Sequence, residues 1–249
     1  MRASDRAICL RTIDYSETSQ VVFFLTRRHG AVRLLAKGTK RPKSKSGGAI
    51  DLLSEGELLF STGKEAADTL GTLMEFTETV VHSSLRRDSA RLHAALYALE
   101  LAGEMLPLGD AHPEAFDLLH NTLVRLGQSD APVQAVLAYF QWRFLRRVGL
   151  LGDMRSCVSC GRRIDRPGEL YFSSRQGGLL CGGCEGAQVE KYRLDADAQA
   201  ALGSIQAAEA GAKVSMAPPQ AQALNRLLAY HAAQQLGKPL KMARHATSD

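Results

Sequence analysis

Four of the five cysteines stand in two close pairs with twenty residues between the pairs. Two residues within a pair let both thiolates of one tight turn reach the same metal ion, and two such turns supply four sulfurs in a closed tetrahedral set. An odd cysteine count does not indicate a disulfide framework. The spacing predicts one structural Zn2+ bound by Cys157, Cys160, Cys181 and Cys184.

Two alternatives to the zinc site are four buried thiols without a metal, and a redox role for one of the pairs. Neither pair follows a strand in a βαβ context, which a thioredoxin-like motif requires. Four protein ligands leave no coordination position for water, so the metal is not expected to catalyse a reaction. Cys9 lies in a β-prone run and is expected to be a core residue.

The first third of the chain carries a stretch of uniformly positive charge. No acidic residue occurs between Glu17 and Asp51. The cations in this window are Arg27, Arg28, Arg33, Lys37, Lys40, Arg41, Lys43 and Lys45. Uncompensated charge of this kind attracts phosphate polymers, and residues 37–48 are typical of a flexible loop. The stretch indicates nucleic-acid binding, with a solvated surface loop as the alternative.

A second basic set surrounds the cysteines. Its members are Arg143, Arg146, Arg147, Arg155, Arg162, Arg163, Arg166 and Arg175. Asp153, Asp165 and Glu169 reduce the net positive charge of this set. Its arginines either extend the nucleic-acid-binding surface, or stabilise the C-terminus of a helix and keep the surface of the ribbon hydrated. The aromatic residues of the first third are expected in the core rather than beneath nucleic-acid bases. They are Tyr15, Phe23, Phe24 and Phe60.

Catalytic patterns are absent from the sequence. It contains no phosphate-binding Gly-Lys-Ser/Thr motif, no G-x-S-x-G elbow and no metal-binding histidine pair. The seven histidines are scattered, and the acidic residues form no nuclease pattern. We therefore expect a binding protein and not an enzyme.

The elements that must position these residues change character near residue 83. Five β-prone runs at even spacing predict a small barrel or sandwich. They span residues 6–13, 19–26, 32–36, 57–61 and 70–81. Apolar residues at helical spacing then predict helices. These span about 92–106, 116–126, 133–148, 194–205 and 219–236, with a β-hairpin around 170–180 between the cysteine pairs.

The sequence therefore predicts an α+β protein with a β-domain at 1–82 and a helical domain at 83–249. The inserted zinc ribbon occupies about 155–187. Asp195 or its neighbour is expected to cap the fourth helix, and Gly237 and Pro239 to end the last. The tail after Lys241 is expected to fray.

Composition is ordinary for a folded protein, with 249 residues, 45% hydrophobic, 23% charged and a formal net charge of +5. The longest apolar run, residues 21–25, is far shorter than the ~18 residues of a membrane span. The N-terminus lacks the apolar stretch of a secretory signal. We expect a cytoplasmic protein without membrane contact.

Together these features resemble the RecO family of bacterial DNA repair proteins. The resemblance spans nearly the whole chain, and its specific parts are the basic loop and the cysteine quartet. The matching segments are Asp14-Tyr15-Ser16-Glu17, Leu25-Thr26 leading to Gly30, the run from Ala36 to Ser44, and the four cysteines.

The resemblance implies an oligonucleotide-binding (OB) fold for the N-terminal domain, followed by helices with an inserted four-cysteine zinc ribbon. It implies binding of single- and double-stranded DNA and annealing of complementary strands. It also implies partnership with RecR and single-stranded DNA-binding protein, help in loading RecA, and a place at the nucleoid. By position it assigns DNA contact to Arg33, Lys37, Lys40, Arg41, Lys43 and Lys45.

Two other classes of function fit the residues. One is a zinc-ribbon accessory protein of transcription or translation that binds RNA, and the other is an interaction module whose ribbon docks a protein. Annealing of complementary DNA without ATP is expected of a protein of the RecO family and of neither alternative.

Overall fold

The computed structural model describes residues 2–41, 48–62, 70–164, 168–209 and 215–247, with the side chains of 208 and 209 excepted. Its backbone forms two compact units, Met1–Ala131 and Pro132–Asp249. The first unit contains two helices as well as the strands. The division at residue 82, drawn where the composition changes, stays a prediction.

Among the described residues of the first unit, five strands lie at the predicted places. They are β1 (Arg2–Asp14), β2 (Gln20–Thr26), β3 (Gly30–Ala36), β4 (Glu55–Ser61) and β5 (Gly71–Val80). Their order is β1-β2-β3-β5-β4, closed into a barrel. All neighbours are antiparallel except β3 and β5, which pair at Leu34↔Gly71 and Leu35↔Thr72. The expected OB-like barrel is confirmed, because five strands in a small closed barrel are the architecture of that fold.

Strand β1 begins four residues earlier than predicted, at Arg2. Its first half pairs with β4 and its second half with β2, and the register shifts between Cys9 and Arg11. A bulge at such a point bends the strand, which lets one strand serve two neighbours. Alternate residues point inward and form the core, as the period of two requires. These are Ala7, Cys9, Val22, Phe24, Val32, Leu34, Ala36, Leu58, Phe60, Leu73 and Phe76, and Ile50 from the segment before β4 packs with them.

Two helices complete the first unit, α1 (Ser89–Met105) and α2 (Pro113–Leu126), after a 3-10 turn (Ser83–Arg87). The loop between them lies against β3, where Gly109 N donates to Ala31 O at 2.9 Å. Gly30 permits this approach. Its φ is +71°, and a Cβ there would collide with the backbone of Asp110.

A buried carboxylate fastens α2 to the barrel. Glu55 of β4 is fully buried and accepts from Arg6 Nη2 at 2.7 Å. His82 Nε2 and His120 Nδ1 lie 3.2 Å and 2.9 Å from its Oε2. Burial raises the pKa of Glu55, but these hydrogen bonds and the nearby charges outweigh it and lower the pKa from 4.5 to about 2.

The second unit is helical with an inserted three-stranded sheet. Its elements are α3 (Val133–Arg147), β6 (Leu170–Ser173), β7 (Gly178–Cys181), β8 (Tyr192–Arg193), α4 (Ala196–Glu209), α5 (Pro218–Leu236) and α6 (Ala243–Ala246). Asp195 caps α4 as predicted, accepting from Ala198 N at 2.7 Å. Gly237 ends α5, with φ of +67°.

The prediction that the C-terminal tail frays is wrong. Residues 243–246 form α6 rather than a frayed end, because Ala246 is buried and its carbonyl accepts from Gln134 Nε2 at 3.2 Å. Gln134 also anchors the buried Asn225 of α5. Asn225 Nδ2 donates to Gln134 Oε1 at 2.7 Å. Among the described residues, no helix is both long and apolar enough to cross a bilayer.

Candidate metal centre and nucleic-acid interface

The structure brings the four predicted ligands together. The Sγ atoms of Cys157, Cys160, Cys181 and Cys184 all lie within 4.8 Å of one another. Cys160 Sγ and Cys181 Sγ are 3.9 Å apart. Sulfurs bound to one zinc at ~2.3 Å in a tetrahedron are ~3.8 Å apart, so this set fits a single Zn2+. The clustering is confirmed, and zinc as the metal stays a prediction.

Backbone amides already favour a thiolate at this site. Cys181 N lies 3.5 Å from Cys157 Sγ and donates to it. Burial raises the pKa of Cys157, but the amides of Cys181, Cys160 and Ser159 outweigh it and lower the pKa to about 6. Four sulfurs so close cannot all ionise without a cation between them. The four sulfurs are therefore suited to holding a metal ion between them.

Two tight turns position the sulfurs. In the first, Gly161 N donates to Cys157 O at 2.9 Å and Gly161 has φ of +72°, a conformation that favours glycine. The second begins at the end of β7, where Cys184 N donates to Cys181 O at 2.9 Å. Strands β6 and β7 form the predicted hairpin, and Val158 N bonds Leu179 O at 2.8 Å. The hairpin thus holds the first turn beside the second.

A buried histidine of α5 supports this ribbon. His231 Nε2 lies 2.9 Å from Leu150 O, and its ring meets Phe172 of β6 edge-on at 5.0 Å. Burial lowers the pKa of His231, which keeps the ring neutral. This histidine therefore has a packing role.

The basic segment, as we call residues 37–48, begins at the end of β3, and the structure describes its residues 37–41 and 48. Arg33 lies half-buried in mid-strand opposite Phe23. Lys37 and Arg41 are exposed, and Lys40 is half-buried. Lys43 and Lys45 lie outside the described residues.

The expectation that the positive stretch lacks counter-charges is wrong in part. Arg27 pairs with Asp117 at 2.8 Å, and hydrogen bonds from Arg27 lower the pKa of Asp117. Distant segments supply the other partners as well. Asp5 pairs with Arg28 at 3.3 Å, and Asp14 pairs with Lys40 at 2.6 Å. In the part of the chain that the structure describes, no carboxylate pairs with Lys37 or Arg41.

A buried amide fixes both ends of the basic segment to β2. Gln20 Oε1 accepts from Ile50 N at 3.0 Å and from Thr39 Oγ1 at 3.3 Å. Its Nε2 donates to Ile50 O at 3.3 Å. Gln20 is a positioning residue that sequence reasoning missed, because its partners lie nineteen and thirty residues away.

The aromatic residues divide between core and surface. Phe24 and Phe60 are buried as expected. Phe23 lies half-buried on the outer face, where the Arg11 guanidinium covers its ring at 5.3 Å. Tyr15 is 65% exposed in the β1–β2 loop, so its expected place in the core is wrong. The polar run around it, Asp14 to Glu17, was the signal that its side chain faces solvent.

The arginines of the ribbon surround the first cysteine turn. Arg155, Arg162 and Arg163 are exposed, and Cys157 N donates to Arg162 O at 2.8 Å across the turn. Among the described residues, no carboxylate pairs with Arg155 or Arg162. Arg143 stacks on Tyr139 of α3 at 5.9 Å, while Arg166 lies outside the described residues.

Comparisons with known proteins cover both units. The family model "Recombination protein O N terminal" matches residues 1–79, and "Recombination protein O C terminal" matches residues 86–244. The DNA repair protein RecO of Anaeromyxobacter dehalogenans strain 2CP-C is 32% identical over 243 residues, which is 92% of this chain and 91% of the relative. That of Myxococcus xanthus is 31% identical over 249 residues, covering 96% and 95%.

Proposed function

Because the chain belongs to the recombination protein O (RecO) family of DNA repair proteins, we propose that it is a non-enzymatic mediator of DNA repair and homologous recombination. It binds single- and double-stranded DNA and anneals complementary strands. It helps load RecA onto single strands coated with single-stranded DNA-binding protein, acts with RecR, and works at the nucleoid in the cytoplasm.

One observation carries the DNA-binding part of this proposal: exposed cations lie at one end of an OB-like barrel. Barrels of this kind bind oligonucleotides on the face of strands β2 and β3 and with the β1–β2 and β4–β5 loops. The basic segment contacts the first of these loops, since Lys40 N donates to Thr18 O at 3.2 Å. Lys37 and Arg41 follow β3 directly and have no carboxylate partner among the described residues. Their charges are therefore available to phosphates, whereas those of Arg27, Arg28 and Lys40 are partly neutralised.

The mechanism that follows is charge neutralisation. Two DNA strands repel each other through their phosphates, and a protein that binds one strand on each of two basic surfaces lowers that repulsion. The basic segment of the barrel is the first surface. Arg155 and Arg162 of the ribbon are the proposed second surface. No ATP is needed, because pairing of complementary strands is itself favourable.

The metal would be held by the four cysteines and would cross-link the two turns of the ribbon. Its role is structural, since four sulfur ligands leave no position for a reacting group. What it positions is the turn between Arg155 and Arg162, because Cys157 lies within that turn. The ribbon side chains then present their charge on a rigid frame.

The first test removes two cations of the basic segment, Lys37 and Arg41, that have no carboxylate partner among the described residues. We expect Lys37→Gln/Arg41→Gln to weaken binding to oligonucleotides of every sequence. Each lost phosphate contact reduces the slope of log K against log salt by about 0.7 on single strands, so the double variant loses about 1.4. Fluorescence anisotropy over a salt series measures both effects.

A matched control removes the same amount of charge from paired positions. Arg27→Gln/Arg86→Gln loses two cations whose guanidinium groups already pair with Asp117 and Asp51. Its salt slope should stay near that of the parent protein. Equal slopes for the two double variants would exclude the basic segment from the interface.

A second test addresses annealing. We expect Arg155→Gln/Arg162→Gln to slow the pairing of complementary strands by on the order of tenfold, because it weakens electrostatic capture of the second strand. The affinity of this variant for a single strand should change much less than its annealing rate does. Stopped-flow fluorescence with labelled complementary oligonucleotides measures the rate, and metal analysis verifies that the ribbon is intact.

The annealing control is Arg125→Gln/Arg193→Gln, which removes two cations that pair with Asp130 and Glu169. An annealing rate reduced equally in both variants would show that net charge and not the ribbon surface matters. Repeating the assay on strands coated with single-stranded DNA-binding protein tests the mediator role. Neither an RNA-binding accessory protein nor a protein-docking module would accelerate the annealing of coated strands.

A further inference from the structure

Tyr15 lies exposed to solvent on a short loop whose backbone is closed by hydrogen bonds. Its backbone N donates to Ser19 O at 3.0 Å, and Ser16 N donates to the same oxygen at 3.2 Å. The return bond from Ser19 N to Ser16 O is 3.3 Å. These bonds fix the backbone of the loop between β1 and β2, while the Tyr15 side chain is 65% exposed.

The same loop is bound directly to the basic segment. Lys40 N donates to Thr18 O at 3.2 Å, and Gly38 N donates to Ser19 Oγ at 3.4 Å. The Lys40 ammonium also pairs with Asp14, the residue before Tyr15, at 2.6 Å. Tyr15 therefore lies at the end of the barrel where the exposed cations of the basic segment begin.

Charge is distributed unevenly over this end of the barrel. The loop carries the carboxylate of Glu17 and that of Asp14, which Lys40 partly neutralises. The adjoining segment carries Lys37 and Arg41, which have no carboxylate partner among the described residues. Phosphates are attracted to the cations and repelled by the carboxylates. An uncharged base face is not repelled. A strand bound here would thus place its backbone along the basic segment and its bases towards Tyr15.

On the premise of the proposed DNA binding, we propose that Tyr15 is a base-stacking residue that gives this end of the barrel its preference for an unpaired strand. Stacking on an exposed aromatic ring adds affinity without reading sequence, since every base has a π-face. In a duplex the bases stack on one another, so Tyr15 has no face to contact. Lys37 and Arg41 supply the phosphate contacts that both forms of DNA share.

The experiment compares Tyr15→Ala and Tyr15→Phe on an oligo-dT strand and on a blunt duplex. Tyr15→Ala should lose about tenfold in affinity for the single strand, with little change on the duplex and an unchanged salt slope. Tyr15→Phe should restore the affinity, because it keeps the ring. A 2-aminopurine base in the strand reports stacking through its fluorescence, which binding changes in the parent and in Tyr15→Phe only.

Tyr139→Ala is the matched control, because Tyr139 is another exposed tyrosine, 37% accessible, on α3. It should behave as the parent protein on both forms of DNA. If the parent binds DNA and Tyr15→Ala binds the single strand equally well, the stacking role is wrong while DNA binding stands. If the parent itself ignores DNA at low salt, both proposals fail.

Discussion

Cys157→Ser is expected to yield a protein without its metal and with an unfolded ribbon. Serine is a poor zinc ligand, and the three remaining sulfurs cannot close the tetrahedral set. The free energy of binding structural zinc is about 10–16 kcal/mol in zinc-finger peptides at neutral pH, and it is also folding free energy. The zinc content, measured by metal analysis, should fall from one per chain to none. Proteases should cut the unfolded ribbon between residues 155 and 187.

Cys9→Ala provides the control for this experiment. Cys9 is fully buried in the barrel core, and burial raises its pKa, so it neither ligates nor ionises. Its substitution should reduce thermal stability but leave one zinc per chain. A parent protein purified without metal, or a Cys157→Ser protein that keeps it, would contradict the metal assignment.

Glu55→Gln is expected to destabilise the first unit by about 3 kcal/mol, because removing one partner of a buried ionic cluster leaves the others uncompensated. Arg6, His82 and His120 all converge on this one carboxylate. Thermal unfolding followed by circular dichroism measures the loss. Glu57→Gln on the same strand is the control, since Glu57 is exposed and its loss should change stability by less than about 0.5 kcal/mol.

The pH dependence of this cluster follows from the lowered pKa of Glu55. A carboxyl group with a pKa of 4.5 when unfolded and about 2 when folded binds its proton more readily in the unfolded chain. Its stabilising contribution is complete above pH 4.5 and is lost as pH falls towards 2. The difference in stability between the parent and Glu55→Gln should shrink across that window. A difference that is constant with pH would contradict the charged state of Glu55.

The parts of the structure that sequence predicts are those with local signals. The spacing of the four cysteines fixes which sulfurs can meet, and alternating apolar residues fix the inward faces of β2 and β3. The apolar period of 3.6 places α1 to α5. Each of these signals depends on neighbours in the chain, so no knowledge of distant contacts is required.

The parts that sequence does not predict depend on long-range partners. The polar start of β1, residues 2–5, becomes a strand only because β4 pairs with it. Arg27 and Lys40 look uncompensated until folding brings Asp117 and Asp14 beside them. Strand β8 has only two residues and forms against Tyr171 and Phe172. Tyr15 was assigned to the core because its residue type outweighed the polar residues around it.

Strand β1 pairs with β2 on one side and with β4 on the other, and the second pairing has a consequence for synthesis on the ribosome. The first half of β1 is synthesised before its partner in β4, which ends at Ser61. Until that stretch has emerged, the backbone groups of Arg2 to Ile8 form an open edge, which invites pairing with other chains. Completion of the barrel thus depends on the nascent chain remaining unaggregated until β4 and β5 have left the exit tunnel.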